Sequence, residues 1–110
     1  MIGTYMMKSP IYYAVGVKGS QVFWKNGTDS YYVLENEDEI DEFAKKFNMD
    51  WHWNMRTGVL SFEDKSEGVK INRPEYVEIG DVVVAYYDWD KWRVYVWTSE
   101  DFEKKFIKVG

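Results

Sequence analysis

Two groups of side chains in this sequence have the types and spacing to do chemistry, and the first is a run of carboxylates. Six acids fall within eight residues, with no Lys or Arg among them. The chain has 14 basic and 19 acidic residues, so without these six the balance would be 14 − 13 = +1 instead of −5. Carboxylates in such a run can meet the Lys and Arg side chains of a nucleic-acid-binding groove, and their charge would speed association. They are Glu35, Glu37, Asp38, Glu39, Asp41 and Glu42.

The same acids also have a purely structural interpretation. Acidic side chains at the start of a helix are stabilised by the helix dipole, and most charge runs form a solvated face. The sequence leaves both interpretations open.

The second group is aromatic. Two apolar segments, 81–87 and 92–97, flank residues 88–91, whose composition is typical of a hairpin turn. Alternate residues of a strand face opposite sides, so these rings fall on both faces and burial of one face cannot cover them all. Exposed Trp and Tyr are frequent in interaction hot spots, although rings of this kind also fill two-sided cores. We expect partner contact at Tyr87, Asp88, Trp89, Asp90 and Trp92.

Within that set, the two Trp residues differ in what the pattern predicts. Trp89 lies at the turn itself and is expected to be exposed. For Trp92, a position in the core is at least an equal alternative to partner contact.

Catalytic and metal-binding patterns are scarce. The chain has no Cys and one His, His52, which excludes cysteine-based or multi-histidine metal sites in a single chain. Alternation places His52 on the face opposite Trp51 and Trp53, which favours a surface histidine. Gly80 and Asp81 are typical of a turn in which Gly adopts a positive φ and Asp accepts backbone N–H groups. We therefore expect no enzyme activity, no metal and no cofactor.

Charge and hydropathy limit the partners. A sequence pI near 4.9 argues against direct contact with nucleic acid. No apolar run approaches the length of a membrane span, and the first residues lack the charged and apolar regions of a signal peptide. These features predict a cytoplasmic protein with a protein partner, and they leave a homodimer open.

The composition favours strands as the elements that position these groups. There are 13 Val, 6 Ile and 21 aromatic residues, against only 2 Leu and 3 Ala. Branched and aromatic side chains suit a pleated sheet, whereas Leu and Ala favour helices. We predict an α+β fold with one antiparallel sheet of about six strands, strongly curled or barrel-like, and two short helices. Residues 9–110 would form a single domain, and residues 1–8 an N-terminal extension.

Local signals locate several of these elements. Asn26-Gly27 is typical of a two-residue type I′ turn between strands at 20–25 and 30–35, or of a longer loop that reaches Asp29. Residues 64–75 are expected to form a loop. Further strands are predicted at residues 10–17, 51–55 and 58–63.

Two helices are predicted from apolar spacing and capping residues. In the first, Asn36 would be the N-cap and Glu39 would complete a capping box. The second would run from Ser99 to about Ile107, with Phe102 and Phe106 docked on the sheet. The residues that define the buried face of the first helix are Ile40, Phe43, Ala44 and Phe47.

The order of these motifs resembles that of small accessory proteins of tailed bacteriophages that carry a Pro-Gly-Asp-aromatic strand signature. In this chain Ile79 replaces the proline of the signature, and Val82 replaces its aromatic residue. The resemblance implies a phage or prophage origin and a role in the host cytosol, and it carries over no catalytic residues. The segments that carry it are Ser9–Val15, Glu39–Phe43, Thr57–Phe62, Glu67-Gly68, Gly80–Val84 and Ser99–Phe106.

Together, these features predict a non-enzymatic phage protein that binds and inhibits a host protein. The leading target class is an antiviral defence effector, such as a CRISPR nuclease complex, or another nucleic-acid enzyme. The alternative is a phage structural or assembly protein that self-associates. An enzyme ranks last, because no spacing of residues supports one.

Overall fold

The computed structural model describes Gly3 and residues 11–65, 69–71, 76–88 and 91–107. Within them the chain forms nine strands and two helices, so the predicted α+β class and the two short helices are confirmed. The elements in chain order are β1 (Tyr12–Gly16), β2 (Gly19–Phe23), β3 (Ser30–Leu34), α1 (Glu37–Lys46), β4 (Met49–Asn54), β5 (Val59–Asp64), β6 (Val69–Ile71), β7 (Val77–Glu78), β8 (Val82–Asp88), β9 (Lys91–Trp97) and α2 (Ser99–Lys105).

The described strands form three sheets, which do not close into a barrel. One sheet has the order β1-β8-β9-β6, the second is the β2–β3 hairpin, and the third has the order β4-β5-β7. All pairs are antiparallel except β6–β9. The chain changes sheet at Val17, whose main chain is held by Gly80 and Asp81 at the start of β8. This transfer explains why β1 and β2 do not continue into a single curled sheet.

The structure corrects two local predictions. Residues 69–71, expected in a loop, form the parallel strand β6 beside β9. The Asn26-Gly27 turn is not type I′, because Gly27 has a positive φ of 74° and Asn26 does not. Instead the Asn26 side chain accepts the N–H groups of Thr28 and Asp29, which favours the longer loop.

The core lies between α1, one face of the four-stranded sheet and the buried residues of the third sheet. As predicted, Ile40, Phe43, Ala44 and Phe47 are buried. Phe47 makes the closest ring contact to the sheet, 4.6 Å from Trp92 between centroids. The other buried apolar residues of this core are Val15, Val17, Leu34, Met49, Leu60, Phe62, Val77, Val83, Ala85 and Val94.

Other predicted features are present, although α2 ends at Lys105, before the predicted Ile107. Trp51 and Trp53 pack against the core while His52 is exposed. The β8–β9 hairpin forms with Asp88 opposite Lys91. Helix α2 begins after Thr98, whose hydroxyl oxygen accepts the Asp101 N–H at 3.2 Å.

The β2–β3 hairpin is fixed to the β4–β5 turn through Gly58. A Cβ at Gly58 would lie 2.8 Å from the Tyr32 ring, and Gly58 has a φ of +70°. Gly27 has nearly the same φ, +74°, but nothing lies within 4 Å of its Cβ position. Substitution of these two glycines by Ala therefore separates two costs in folding free energy: the strained backbone conformation, which both share, and the steric clash with Tyr32, which only Gly58 has.

We expect Gly27→Ala to lower the free energy of unfolding by about 1–2 kcal/mol, the cost of a left-handed conformation for a residue with a Cβ. Gly58→Ala should cost about 1–3 kcal/mol more, because the new methyl group displaces the Tyr32 ring. Urea unfolding of both variants measures the difference. Equal losses would contradict the close packing of Gly58 on Tyr32.

Candidate functional site

The six acids lie together at the N-terminal end of α1. Glu35 precedes the helix, and the other five belong to its first two turns. Five of the six are exposed, and Asp41 is half-buried. One contact is a weak ion pair between Glu39 and Lys18, at 3.9 Å.

Asp41 differs from the other acids because it fastens α1 to β4. Its carboxylate accepts the Trp51 indole N–H at 3.0 Å and pairs with Lys45 at 2.8 Å. The hydrogen bonds from Lys45 and Trp51 lower the pKa of Asp41 below its usual value of 3.8. Asp41 is therefore a structural member of the acidic run.

Asn36 does not form the predicted capping box. Its side chain makes no cap hydrogen bond to the helix. Instead its amide oxygen accepts the Lys18 N–H at 3.0 Å, and its amide nitrogen donates to the Gly16 carbonyl at 2.7 Å. Asn36 is 7% exposed, so partners on the neighbouring chain segment satisfy this buried amide better than the solvated helix end would. These bonds hold the start of α1 against the junction of β1 and β2.

The aromatic hairpin is partly core and partly surface. Trp92 is half-buried, packs on Phe47 and lies 5.8 Å from the Tyr13 ring. Tyr87 is 51% exposed and lies edge-on to Trp92 at 5.5 Å. Asp88 is the last residue of β8, and the predicted contacts at Trp89 and Asp90 lie outside the described residues.

The structure separates the two predicted surfaces. The acids lie where α1 begins, around Asn36, and one of them, Glu39, lies near Lys18. Tyr87 and Trp92 lie where α1 ends, beside Phe47. Ten helical residues span about 15 Å at 1.5 Å each. Any single contact that uses both surfaces must extend along the whole of α1.

The two ends of α1 carry opposite charges. The last turn of α1 carries Lys45 and Lys46, and the Lys46 ammonium lies 4.3 Å from the centre of the Tyr13 ring. The acidic end of the helix and the aromatic hairpin thus have surroundings of opposite charge.

The outer face of the four-stranded sheet forms an aromatic groove that sequence reasoning did not identify. Tyr86 and Tyr95 stack with an interplanar angle of 9° and centroids 5.8 Å apart. Phe106, at the end of α2, packs edge-on to Tyr12 and Trp97. The groove encloses about 470 Å³ and is lined by Tyr12, Val84, Tyr86, Tyr95, Trp97, Lys105 and Phe106.

The alternating directions of side chains along β8 and β9 could have predicted part of this groove from the sequence. This alternation predicts that Val84 and Tyr86 share a face, and that Tyr95 and Trp97 do too. The contribution of Tyr12 depends on the β1–β8 pairing, which places Tyr12 opposite Tyr86.

A second recess of about 390 Å³ adjoins this groove through Tyr95 and Trp97. It contains Asp81, whose carboxylate accepts the Glu78 N–H at 3.0 Å, while Gly80 has a φ of 96°. The prediction that Gly80-Asp81 is a turn is confirmed.

Among the described residues, no group of three or more His, Asp or Glu side chains is arranged to hold a metal ion. No described helix is long and apolar enough to cross a membrane.

Comparison of the chain with family models, with curated proteins and with solved structures gives no match. The resemblance to phage accessory proteins therefore stays a prediction based on the sequence motifs alone.

The Asp41 contacts predict a pH-dependent contribution to stability. The folded-state pKa of Asp41 is lowered, so its contribution is fully present above the unfolded pKa and is lost as pH falls through the folded value. We expect Asp41→Asn to destabilise the protein at pH 7 and to match the wild type more closely as the pH falls below about 4.

The matched control is Glu37→Gln, because Glu37 is an exposed acid of α1 that lies four residues before Asp41. Thermal unfolding across the pH range should show a much smaller change for this variant. A difference between Asp41→Asn and the wild type that grows as the pH falls would contradict the assignment.

Proposed function

We propose that this protein is a non-enzymatic, phage-derived binding protein that docks on a host protein in the cytoplasm and blocks it. The target class is an antiviral defence effector, such as a CRISPR nuclease complex, or another enzyme with a basic nucleic-acid groove. The observation that carries the proposal is the exposed acidic end of α1, which Asn36 and Asp41 fix to the sheets.

Several carboxylates of the acidic run are available to bind a partner, because they form no ion pair with another described residue. Asp41 is used internally and Glu39 lies near Lys18. The four others have no ion-pair partner among the residues that the structure describes, and each is exposed: Glu35, Glu37, Asp38 and Glu42. A basic groove would supply the missing cations, and the field of these charges would speed encounter.

Tyr87 supports an anchoring role for the β8–β9 hairpin. Half of its surface is exposed, while its ring rests against Trp92, which is itself fixed by Phe47. An aromatic ring that is exposed but held in place loses little entropy on binding. Trp89, which the sequence analysis predicts to contact a partner, would extend this anchor.

The charge reversal along α1 constrains the partner. A partner surface that covers both regions must be basic opposite the acids and neutral or acidic opposite Lys45 and Lys46. The span of about 15 Å along the helix fits an interface of standard size, about 800 Å² on each protein.

The second candidate is a phage assembly protein that self-associates. Within the described residues no further strand pairs with β2 besides β3, and this favours self-association, because an open strand edge accepts another strand.

To test the proposed function, we would neutralise three exposed acids of α1 with Glu37→Gln, Asp38→Asn and Glu42→Gln. A control variant would carry Glu63→Gln, Glu78→Gln and Glu103→Gln, which change three exposed acids elsewhere. Both variants gain the same net charge, so a difference between them reports position alone. The partner is captured from bacterial lysate with tagged wild type, with and without nuclease treatment, and identified by mass spectrometry.

For that partner, the α1 variant should associate at least about tenfold more slowly at low salt and show a weaker salt dependence. The control should stay close to the wild type. Equal association rates and salt slopes for both variants would refute the acidic-end mechanism. A partner that is lost on nuclease treatment would refute direct protein binding.

A further inference from the structure

The outer face of the four-stranded sheet carries a groove that α2 covers only in part. Helix α2 has no buried residue, and Phe102 and Phe106 are half-buried. The groove that Phe106 helps to line encloses about 470 Å³, which is within the range of about 300–1,000 Å³ for small-molecule sites. A helix that served only to cover the sheet would fill this space with apolar side chains, because protein interiors are close-packed.

The aromatic rings that line this groove hold one another in place. Between ring centroids, Tyr12 lies 5.2 Å from Tyr86 and 5.0 Å from Phe106. Phe106 lies 5.5 Å from Trp97, and Tyr86 lies 5.8 Å from Tyr95. The five rings thus form one connected chain of contacts. A ligand in the groove therefore meets side chains that have little freedom left to lose on binding.

The adjoining recess adds polar groups to this aromatic surface. It shares Tyr95 and Trp97 with the groove, so the groove and the recess form one continuous cleft. Asp81 and Asp101 line the recess, and Asp101 forms no ion pair with another described residue. Lys105 lines the groove, with its ammonium 5.9 Å from the centre of the Trp97 ring. The cleft therefore combines aromatic walls with both acceptors and a donor of hydrogen bonds.

Two further side chains of the cleft offer surfaces or donors to a ligand. The half-buried Trp51 and Trp53 each donate their indole N–H to an acceptor of the chain. Trp97 is also half-buried, but no described residue accepts its indole N–H. Tyr76, in the recess, is 67% exposed, and its ring contacts no other ring in the described part of the chain. A bound ligand would supply an acceptor for Trp97 and a surface for Tyr76.

We propose that this cleft binds a neutral oligosaccharide whose sugar rings have flat apolar faces, such as a β-1,4-linked oligomer of glucose or of N-acetylglucosamine. The C–H faces of these sugars pack on the rings of Tyr95 and Trp97. Sugar hydroxyls donate to the carboxylate of Asp101, and a sugar oxygen accepts the Trp97 indole N–H.

The charges of the cleft favour such a ligand over other classes. Two carboxylates in a chain of net charge −5 repel nucleotides and other phosphates. A fatty acid would cover these carboxylates without donating hydrogen bonds to them, which is costly. A cationic ligand would be repelled by the Lys105 ammonium beside Trp97. A hydroxyl group can donate to a carboxylate and accept from an ammonium, so an oligosaccharide satisfies both.

This site goes beyond the proposed function and lies apart from the surface that carries it. The cleft is on the outer face of the four-stranded sheet, whereas α1 packs on the opposite face through Phe47 and Trp92. Oligosaccharide binding therefore uses none of the exposed acids of α1, and either proposal can fail while the other holds.

Isothermal titration calorimetry of the purified full chain tests the proposal with two probes, cellotetraose and chitotriose. We expect a Kd between about 10 μM and about 1 mM for at least one of them. Choline, AMP and laurate are titrated in parallel, as representatives of cations, nucleotides and fatty acids, and should bind more weakly.

Two variants change exposed side chains of the cleft. Tyr76→Ala removes ring surface, and Asp101→Ala removes a carboxylate, so each should raise the Kd at least about fivefold. The matched controls should keep the wild-type Kd. They are Trp24→Ala, where Trp24 is 57% exposed on the β2–β3 hairpin, and Glu103→Ala, an exposed acid of α2 that does not line the cleft.

The indole N–H signal of Trp97 in the nitrogen–proton NMR spectrum provides a second measurement on the wild type. Its loss in Trp97→Phe identifies it, and saturation with the bound probe should shift it more than the signals of Trp51 and Trp53. Binding of neither oligosaccharide, tighter binding of choline, AMP or laurate, equal effects of cleft and control variants, or an unmoved Trp97 signal would each overturn the proposal.

Discussion

The position of the acidic helix depends on the buried amide of Asn36. This side chain bonds to Gly16 and to Lys18, at the junction where the chain leaves the four-stranded sheet for the β2–β3 hairpin. Two sheets and the start of α1 thus share one buried polar group, which is costly to leave unpaired. Asp41 fixes the next turn of the helix to Trp51 of the third sheet. The exposed carboxylates consequently project from a rigid support.

The strands and helices that bury a regular apolar face were predictable from the sequence. The period of Ile40, Phe43 and Phe47 defined α1, and the alternation of Trp51 with His52 defined the faces of β4. The division into three sheets was not predictable, because it depends on main-chain bonds of Val17 to Gly80 and Asp81. Strand β6 is only three residues long and depends on its long-range partner β9.

The candidate site was predictable in composition but not in arrangement. The acids cluster at one helix end, as their sequence proximity requires. Their separation from Tyr87 follows from the direction in which α1 crosses the sheet, which Phe47 and Trp92 set. Asn36 is the N-cap residue of α1, as predicted, but its side chain does not cap the helix, because it bonds instead to Gly16 and Lys18, far from it in the sequence. The outer aromatic groove required knowledge of the β1–β8 pairing.

We propose that one host protein contacts both ends of α1, and hydrogen exchange of the purified complex, compared with the free chain, tests this contact most directly. We expect slower exchange at residues 35–42 and at residues 86–92 in the same complex. A stable complex in which residues 35–42 exchange as fast as in the free chain would contradict it.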